Sequence, residues 1–159
     1  MIRYIGIDPG SKGAVAILYS DDVVVLEDLD KEYFTYGDLM YRLADDVGAF
    51  EYTYVAVEDV CGRPGQSCQA NTTFMKLAGM AELTGHCVGN SMLLVKPQVW
   101  KKHFGLITKG LTKTERKHLS IDLAKKLYPS VADQLTASKD GRAEALLIAR
   151  YLKDVQHSS

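Results

Sequence analysis

Three apolar runs near the N-terminus, joined by links too short for anything but tight turns, oblige this chain to begin as an antiparallel meander. Ile2 to Asp8 is strand-like and ends at Pro9-Gly10, a strong turn signal. Gly13 to Leu18 and Val23 to Leu26 follow as the second and third strands. The pattern then alternates. Phe34 to Phe50 has helical spacing, with Leu39, Leu43 and Val47 on one face, and Tyr54 to Glu58 reads as a strand too apolar for an edge. After a polar loop from Cys61 to Ser67, a helix is expected over Gln69 to Thr84, with Phe74, Leu77, Met80 and Ala81 on a common face. Met92 to Val95 is a fifth strand, and Pro97 opens a short helix at its favoured first turn. Thr112 with Glu115 forms a capping-box pattern before Lys113 to Leu127, and a last helix runs from Gly141 to Lys153 with Ala145, Ile148, Ala149 and Leu152 inward. The order β-β-β-α-β-α-β-α-α-α predicts an α/β fold. Its mixed five-stranded sheet, three antiparallel strands and then parallel ones, is flanked by helices.

With 159 residues the chain suits one domain, expected over 1–155 with a short polar tail at 156–159. No run approaches the ~18 apolar residues of a membrane span, and the start lacks the basic-then-apolar pattern of a secretory signal. A cytoplasmic location with no membrane contact is the expectation. Cys61, Cys68 and Cys87 are an odd set without a CxxC pair, which argues for reduced thiols and against a disulfide framework or zinc site.

The overall net charge of −1 conceals a strong asymmetry. Residues 1–60 carry 13 Asp and Glu against 4 Lys and Arg, whereas residues 96–126 carry 9 Lys and Arg against Glu115 and Asp122. A concentrated basic stretch points to a polyanionic partner; a solvated helix face is the plainer alternative.

Four carboxylates stand out by position. Asp8 ends the first strand, Glu58 ends the fourth, and Asp140 and Glu144 open the last helix one turn apart on one face. Residues at the carboxyl ends of strands line the crevice of an open sheet. If the first and fourth strands are neighbours, Asp8 and Glu58 emerge together, and alternation sends Asp59 to the opposite face. Clustered carboxylates need a counter-charge, which hard divalent cations supply through oxygen ligands. Each acid also has a plainer reading: Asp8 as a turn former, Glu58 as a strand-end acid, Asp140 as a helix cap, Glu144 as a surface acid.

The same residues carry a resemblance. Ile5 through Ala14 resembles the first motif of RuvC-like Holliday junction resolvases, members of the ribonuclease-H-like superfamily, and Val55-Ala56-Val57-Glu58 resembles their second. Asp140 through Ala149 looks like the closing motif, and Val95 through Lys102 resembles a segment of bacteriophage members. The closing pair departs from the usual pattern, being Asp then Glu four apart where bacterial members have two Asp three apart, so that Asp140 is displaced by one position.

The resemblance implies a Mg²⁺-dependent endonuclease that resolves four-way junctions in recombination or branch removal, leaving 5′-phosphate and 3′-hydroxyl ends. Asp8, Glu58, Asp140 and Glu144 would bind two Mg²⁺ ions, with Mn²⁺ able to substitute, in a bacterial or phage-infected cell. Branched DNA would contact Lys12, the loop residues Arg63, Gln66, Ser67, Gln69 and Asn71, and the basic residues Lys101, Lys102, Lys109, Lys113, Arg116 and Lys117. Lys139 would assist near the scissile phosphate. A homodimer is implied, with Phe74, Met75, Leu77, Gly79 and Met80 of the helix after the second motif at its interface.

Other readings differ in substrate or class. The same acids could serve a ribonuclease-H-like nuclease acting on RNA–DNA hybrids or on flaps, and a catalytically silent junction binder is also conceivable. Gly6 through Gly13 resembles the first phosphate loop of actin-like ATPases, but that architecture needs a second similar domain and a second glycine-rich loop. His86, His103, His118 and His157 have no nucleophile motif around them, and nothing near Cys61 in the sequence points to a thiol mechanism.

Overall fold

The computed structural model describes residues 1–10, 12–29, 37–39, 41–43, 49–62 and 64–158. Strands β1 (Ile2–Asp8), β2 (Ala14–Tyr19), β3 (Val24–Asp28), β4 (Tyr52–Glu58) and β5 (Ser91–Val95) form a single sheet in the order β3-β2-β1-β4-β5. The β1–β2 and β2–β3 pairs are antiparallel, and β4 and β5 add in parallel. This is the mixed sheet expected from the sequence. Helices α1 (Cys68–Val88), α2 (Pro97–His103), α3 (Lys113–Leu127) and α4 (Asp140–His157) complete the described frame. Of the helix expected over 34–50, residues 37–39 and 41–43 are helical, with Leu39 and Leu43 buried; Val47 lies outside the described residues.

Strand alternation sorts the core into two layers. Ile5, Ile7, Val15, Ile17, Val55 and Val57 face α1. Tyr4, Ala16, Leu18, Leu26 and Ala56 face α4. Asp8 and Glu58 continue the parity of Tyr4 and Ala56, so both belong to the α4 side. Helix α4 is buried more completely than one inward stripe allows: Ala145, Leu146, Leu147, Ile148 and Ala149 are all fully buried in succession. The sheet covers one side and α3 the other, with Ile121 and Ala124 of α3 in the same cluster.

Glycine decides how close α4 comes. A Cβ on Gly6 would sit 2.1 Å from the Ala145 carbonyl oxygen and 2.5 Å from the Ala149 nitrogen. The helix backbone therefore rests directly on β1, at a spacing only glycine permits.

Two helices run further than expected. Helix α1 continues past Thr84 because Gly85 lies against the sheet, where a Cβ would meet the Met92 side chain at 2.9 Å. Helix α4 continues past Lys153 and takes in Gln156 and His157, expected in the tail; His157 packs on Tyr4, whose hydroxyl is 3.3 Å from its Nε2. Short 3-10 turns at Pro129–Gln134 and Ala137–Lys139 carry the chain from α3 back to α4. Among the described residues no helix is long and apolar enough to cross a membrane.

The capping box at the start of α3 is present in full. Glu115 N donates to Thr112 Oγ1 at 3.2 Å, and Thr112 N donates to Glu115 Oε2 at 2.7 Å. Thr112→Ala is expected to lower stability by ~1 kcal/mol. Urea unfolding of the two chains checks this, and an unchanged midpoint would show that the cap is idle.

Candidate active site

The β1–β4 register places Ile7 opposite Val57, so the next residue on each strand is an acid: Asp8 beside Glu58. Both strands end there, at the carboxyl edge of the sheet. Asp8 lies half-buried and its Oδ1 accepts from Gly10 N at 3.1 Å. It therefore shapes the Asp-Pro-Gly turn and faces the site at once. Glu58 is 7% exposed, and its Oε1 accepts a hydrogen bond from Trp100 Nε1 at 3.0 Å.

Helix α4 supplies the second pair. Lys139 is the N-cap residue, which puts Asp140 in the first turn rather than at the cap, and Glu144 one turn on. Carboxylates there are favoured by the helix dipole. The approach is again set by glycine: a Cβ on Gly141 would lie 2.2 Å from the Lys12 carbonyl oxygen and 3.3 Å from Asp8 Oδ2. Arg142 and Lys139 both pair with Asp28 at the end of β3, pinning the start of α4 to the sheet.

All four acids line one cleft of about 790 Å³. Burial, and then the charges of Glu58 and Glu144, push the Asp8 carboxyl well above the usual carboxylate range; Asp140 adds to this, and the Gly10 N–H opposes it. Lys101 Nζ is 3.1 Å from Glu144 Oε1, and the Lys117 ammonium contacts Asp140 Oδ2. Asp140 Oδ1 is buried without a hydrogen-bond partner.

This donor set fits a hard divalent cation: it is all carboxylate oxygen, mutually repelling, with one buried oxygen unmatched. As the side chains stand, no three His, Cys, Asp or Glu among the described residues converge closely enough to hold an ion, and two lysine ammoniums supply the positive charge instead.

The rim of the cleft is basic. Lys12, Lys101, Lys113, Arg116 and Lys117 line it, together with Gln66 of the loop after β4. Gln66 and Asn71 also line a neighbouring cavity of about 720 Å³ beside the start of α1. Ser67 caps α1 by accepting from Ala70 N at 3.2 Å, while Gln69, Lys102 and Lys109 are exposed and are not among the residues lining the cleft. Arg63 lies outside the described residues.

Two expected roles meet other partners in the fold. Lys139 does not line the cleft; its amine is 2.9 Å from Asp28 Oδ2. Leu77, expected at a subunit interface, is 2% exposed within the chain's own core beside Ile5 and Val55, because it lies on the face of α1 that covers the sheet. Phe74 and Met80 are half-buried, and Met75 and Gly79 are exposed. Periodicity did not single out Trp100 or Ser120, both buried at the site. The signals for Trp100 were its place as the only tryptophan, at the start of the basic stretch, and within the Val95 to Lys102 segment.

No family model matches the chain, and no curated protein does. Among solved structures, RuvC of T. thermophilus in complex with a Holliday junction substrate is similar at a TM-score of 0.65 and 14% identity, covering 100% of this chain and 97% of that one. A second structure of Thermus thermophilus RuvC is similar at 0.57 and 15% identity, covering 99% and 95%. At such identity the likeness is one of architecture: this chain has the ribonuclease-H-like fold of RuvC.

Proposed function

We propose that the chain is a divalent-cation-dependent endonuclease that cuts branched DNA, with the four-way junction as its chief substrate. The observation that carries this reading is the convergence of Asp8, Glu58, Asp140 and Glu144 in one cleft with a basic rim. A phosphodiester is an anion and would be repelled by the acids alone. The rim residues Lys12, Lys113 and Arg116 offset that repulsion and seat the backbone, as cationic side chains do on DNA phosphates generally.

Asp8, Glu58, Asp140 and Glu144 would hold the cations, as the resemblance implies for two Mg²⁺ with Mn²⁺ as substitute. When bound, such ions neutralise developing phosphate charge and lower the pKa of a bound water. The chain's residues do the rest. Asp8 and Glu58 are fixed by adjacent strands, and Asp140 and Glu144 by a helix seated on β1, so the backbone sets all four acids around one cleft and only side chains need turn to meet an ion. The basic rim orients the strand over them. The junction preference rests on the RuvC fold and on the first, second and closing sequence motifs. A homodimer, with exposed Met75 of α1 at the contact, would place two sites for paired cuts in opposite strands.

The test is cleavage of labelled four-way junction, flap, linear duplex and RNA–DNA hybrid, with Mg²⁺ or with chelator. Paired nicks in the junction that disappear with chelator are expected. Cutting of the hybrid or flap with the junction intact would keep the acids' role and transfer the substrate to the alternative nuclease reading. Binding of the junction should weaken steeply between about 50 and 200 mM salt, since phosphate contacts release counterions.

A further inference from the structure

Helix α2 touches both glutamates of the site through consecutive residues. Trp100 is fully buried, and its indole N–H, a donor only, engages Glu58 Oε1 at 3.0 Å. Lys101 places its amine 3.1 Å from Glu144 Oε1 and 4.9 Å from the centre of the Trp100 ring. The helix itself is tied to α4, which carries Glu144. His103 Nε2 lies 2.9 Å from Asp154 Oδ2, and its ring meets Tyr151 edge-on at 5.2 Å. A buried tryptophan beside the acids, on an arm fastened to the acid-bearing helix, does more than pack, since its indole N–H donates to a site carboxylate where a purely apolar side chain would only fill space.

We propose that α2 sets the two glutamates for the cation in opposite ways. Trp100 is a positioning residue that fixes the Glu58 carboxylate for ligation. Lys101 is a built-in counter-ion that holds Glu144 until a cation takes its place. This deepens the nuclease reading and rests on its cation site. An outer hydrogen bond to a metal ligand fixes its orientation, and its loss costs 10–100-fold in metal affinity in comparable sites, by order of magnitude. A lysine paired with a ligand competes with the incoming ion, so its removal has the opposite effect.

Because Trp100 is the only tryptophan in the chain, its emission reports on the Glu58 contact directly. The experiment is calorimetric titration of the whole chain with MnCl₂ without DNA, beside a fluorescence titration, for the unaltered chain, Trp100→Phe and Lys101→Met. Trp100→Phe should bind Mn²⁺ at least ~10-fold more weakly. Lys101→Met should bind it about fivefold more tightly, the factor that charge competition of roughly water-screened strength supplies. Mn²⁺ should change the Trp100 emission in the unaltered chain and in Lys101→Met. Thermal melting establishes that each variant is folded. If Trp100→Phe does not fold, the sign of the Lys101→Met shift and the emission change decide, since Lys101 is partly exposed and not needed for the core. Equal affinities in all three chains, shifts of the same sign, or binding with no change in Trp100 emission would overturn the proposal and leave the cation site standing. No Mn²⁺ binding by the unaltered chain would overturn the cation site as well.

Discussion

Asp8→Asn is expected to reduce junction cleavage by more than ~100-fold while raising the melting temperature of the cation-free chain. The loss should exceed what disturbing an outer partner of a metal ligand brings, because the ligand itself is altered. The gain follows from the electrostatics of the cleft. Burial and the charges of Glu58, Glu144 and Asp140 all disfavour an ionised Asp8, so a neutral isostere relieves the folded state. The turn survives, because an asparagine carbonyl can still accept from Gly10 N, as Asp8 Oδ1 does at 3.1 Å. Initial cleavage rates and melting in chelator are the two measurements. Retained cleavage would remove Asp8 from the site; a lower melting temperature would mean that its charge is better compensated than its neighbours suggest.

Gly6→Ala should be among the most destabilising single-methyl changes in the chain, at about 3 kcal/mol. The added carbon would lie 2.1 Å from a backbone oxygen of α4, and backbone cannot rotate away as a side chain can. The helix must lift from β1, loosening contacts of the fully buried Ala145 and Ala149. Gly141→Ala should behave differently. Its Cβ would press on the Lys12 carbonyl at 2.2 Å, but alanine gains up to ~1 kcal/mol of helix propensity over glycine, which offsets part of the cost. The effect should fall on activity, since Asp140 and Glu144 shift relative to Asp8, and a displacement of about 1 Å can cost ~10²-fold. Urea unfolding and cleavage rates for both variants separate the two roles. A Gly6→Ala loss within about 0.5 kcal/mol would place it among ordinary surface changes and contradict the close approach.

Sequence alone carried the sheet and the acids for a definite reason. β1 and β4 are apolar runs stopped by an acid, and period-two alternation settles which face Asp8 and Glu58 share. The i,i+4 spacing of Asp140 and Glu144 fixes their common face without knowledge of packing. What alternation cannot convey is where long side chains end. Lys139 reaches Asp28, Lys117 reaches Asp140, and the Trp100 indole crosses from α2 to β4; each partner is distant in sequence. Leu77 has the apolar character of an interface residue and of a core residue alike, and only the seating of α1 on the sheet assigns it to the core. The run of buried residues from Ala145 to Ala149 likewise exceeds a one-sided stripe, because α3 covers the outer side of α4. The bacteriophage likeness rests on Val95 to Lys102 alone; the fold comparison bears on architecture, not on that segment.

The central claim is that Asp8, Glu58, Asp140 and Glu144 form a cation site. Anomalous diffraction from crystals of the chain grown with Mn²⁺ tests it most directly. The expected result is an anomalous peak between the β1–β4 acids and those of α4, with Lys101 and Lys117 turned away from Glu144 and Asp140. Both lysines still paired with their carboxylates, and Mn²⁺ absent from the cleft or bound elsewhere, would contradict it.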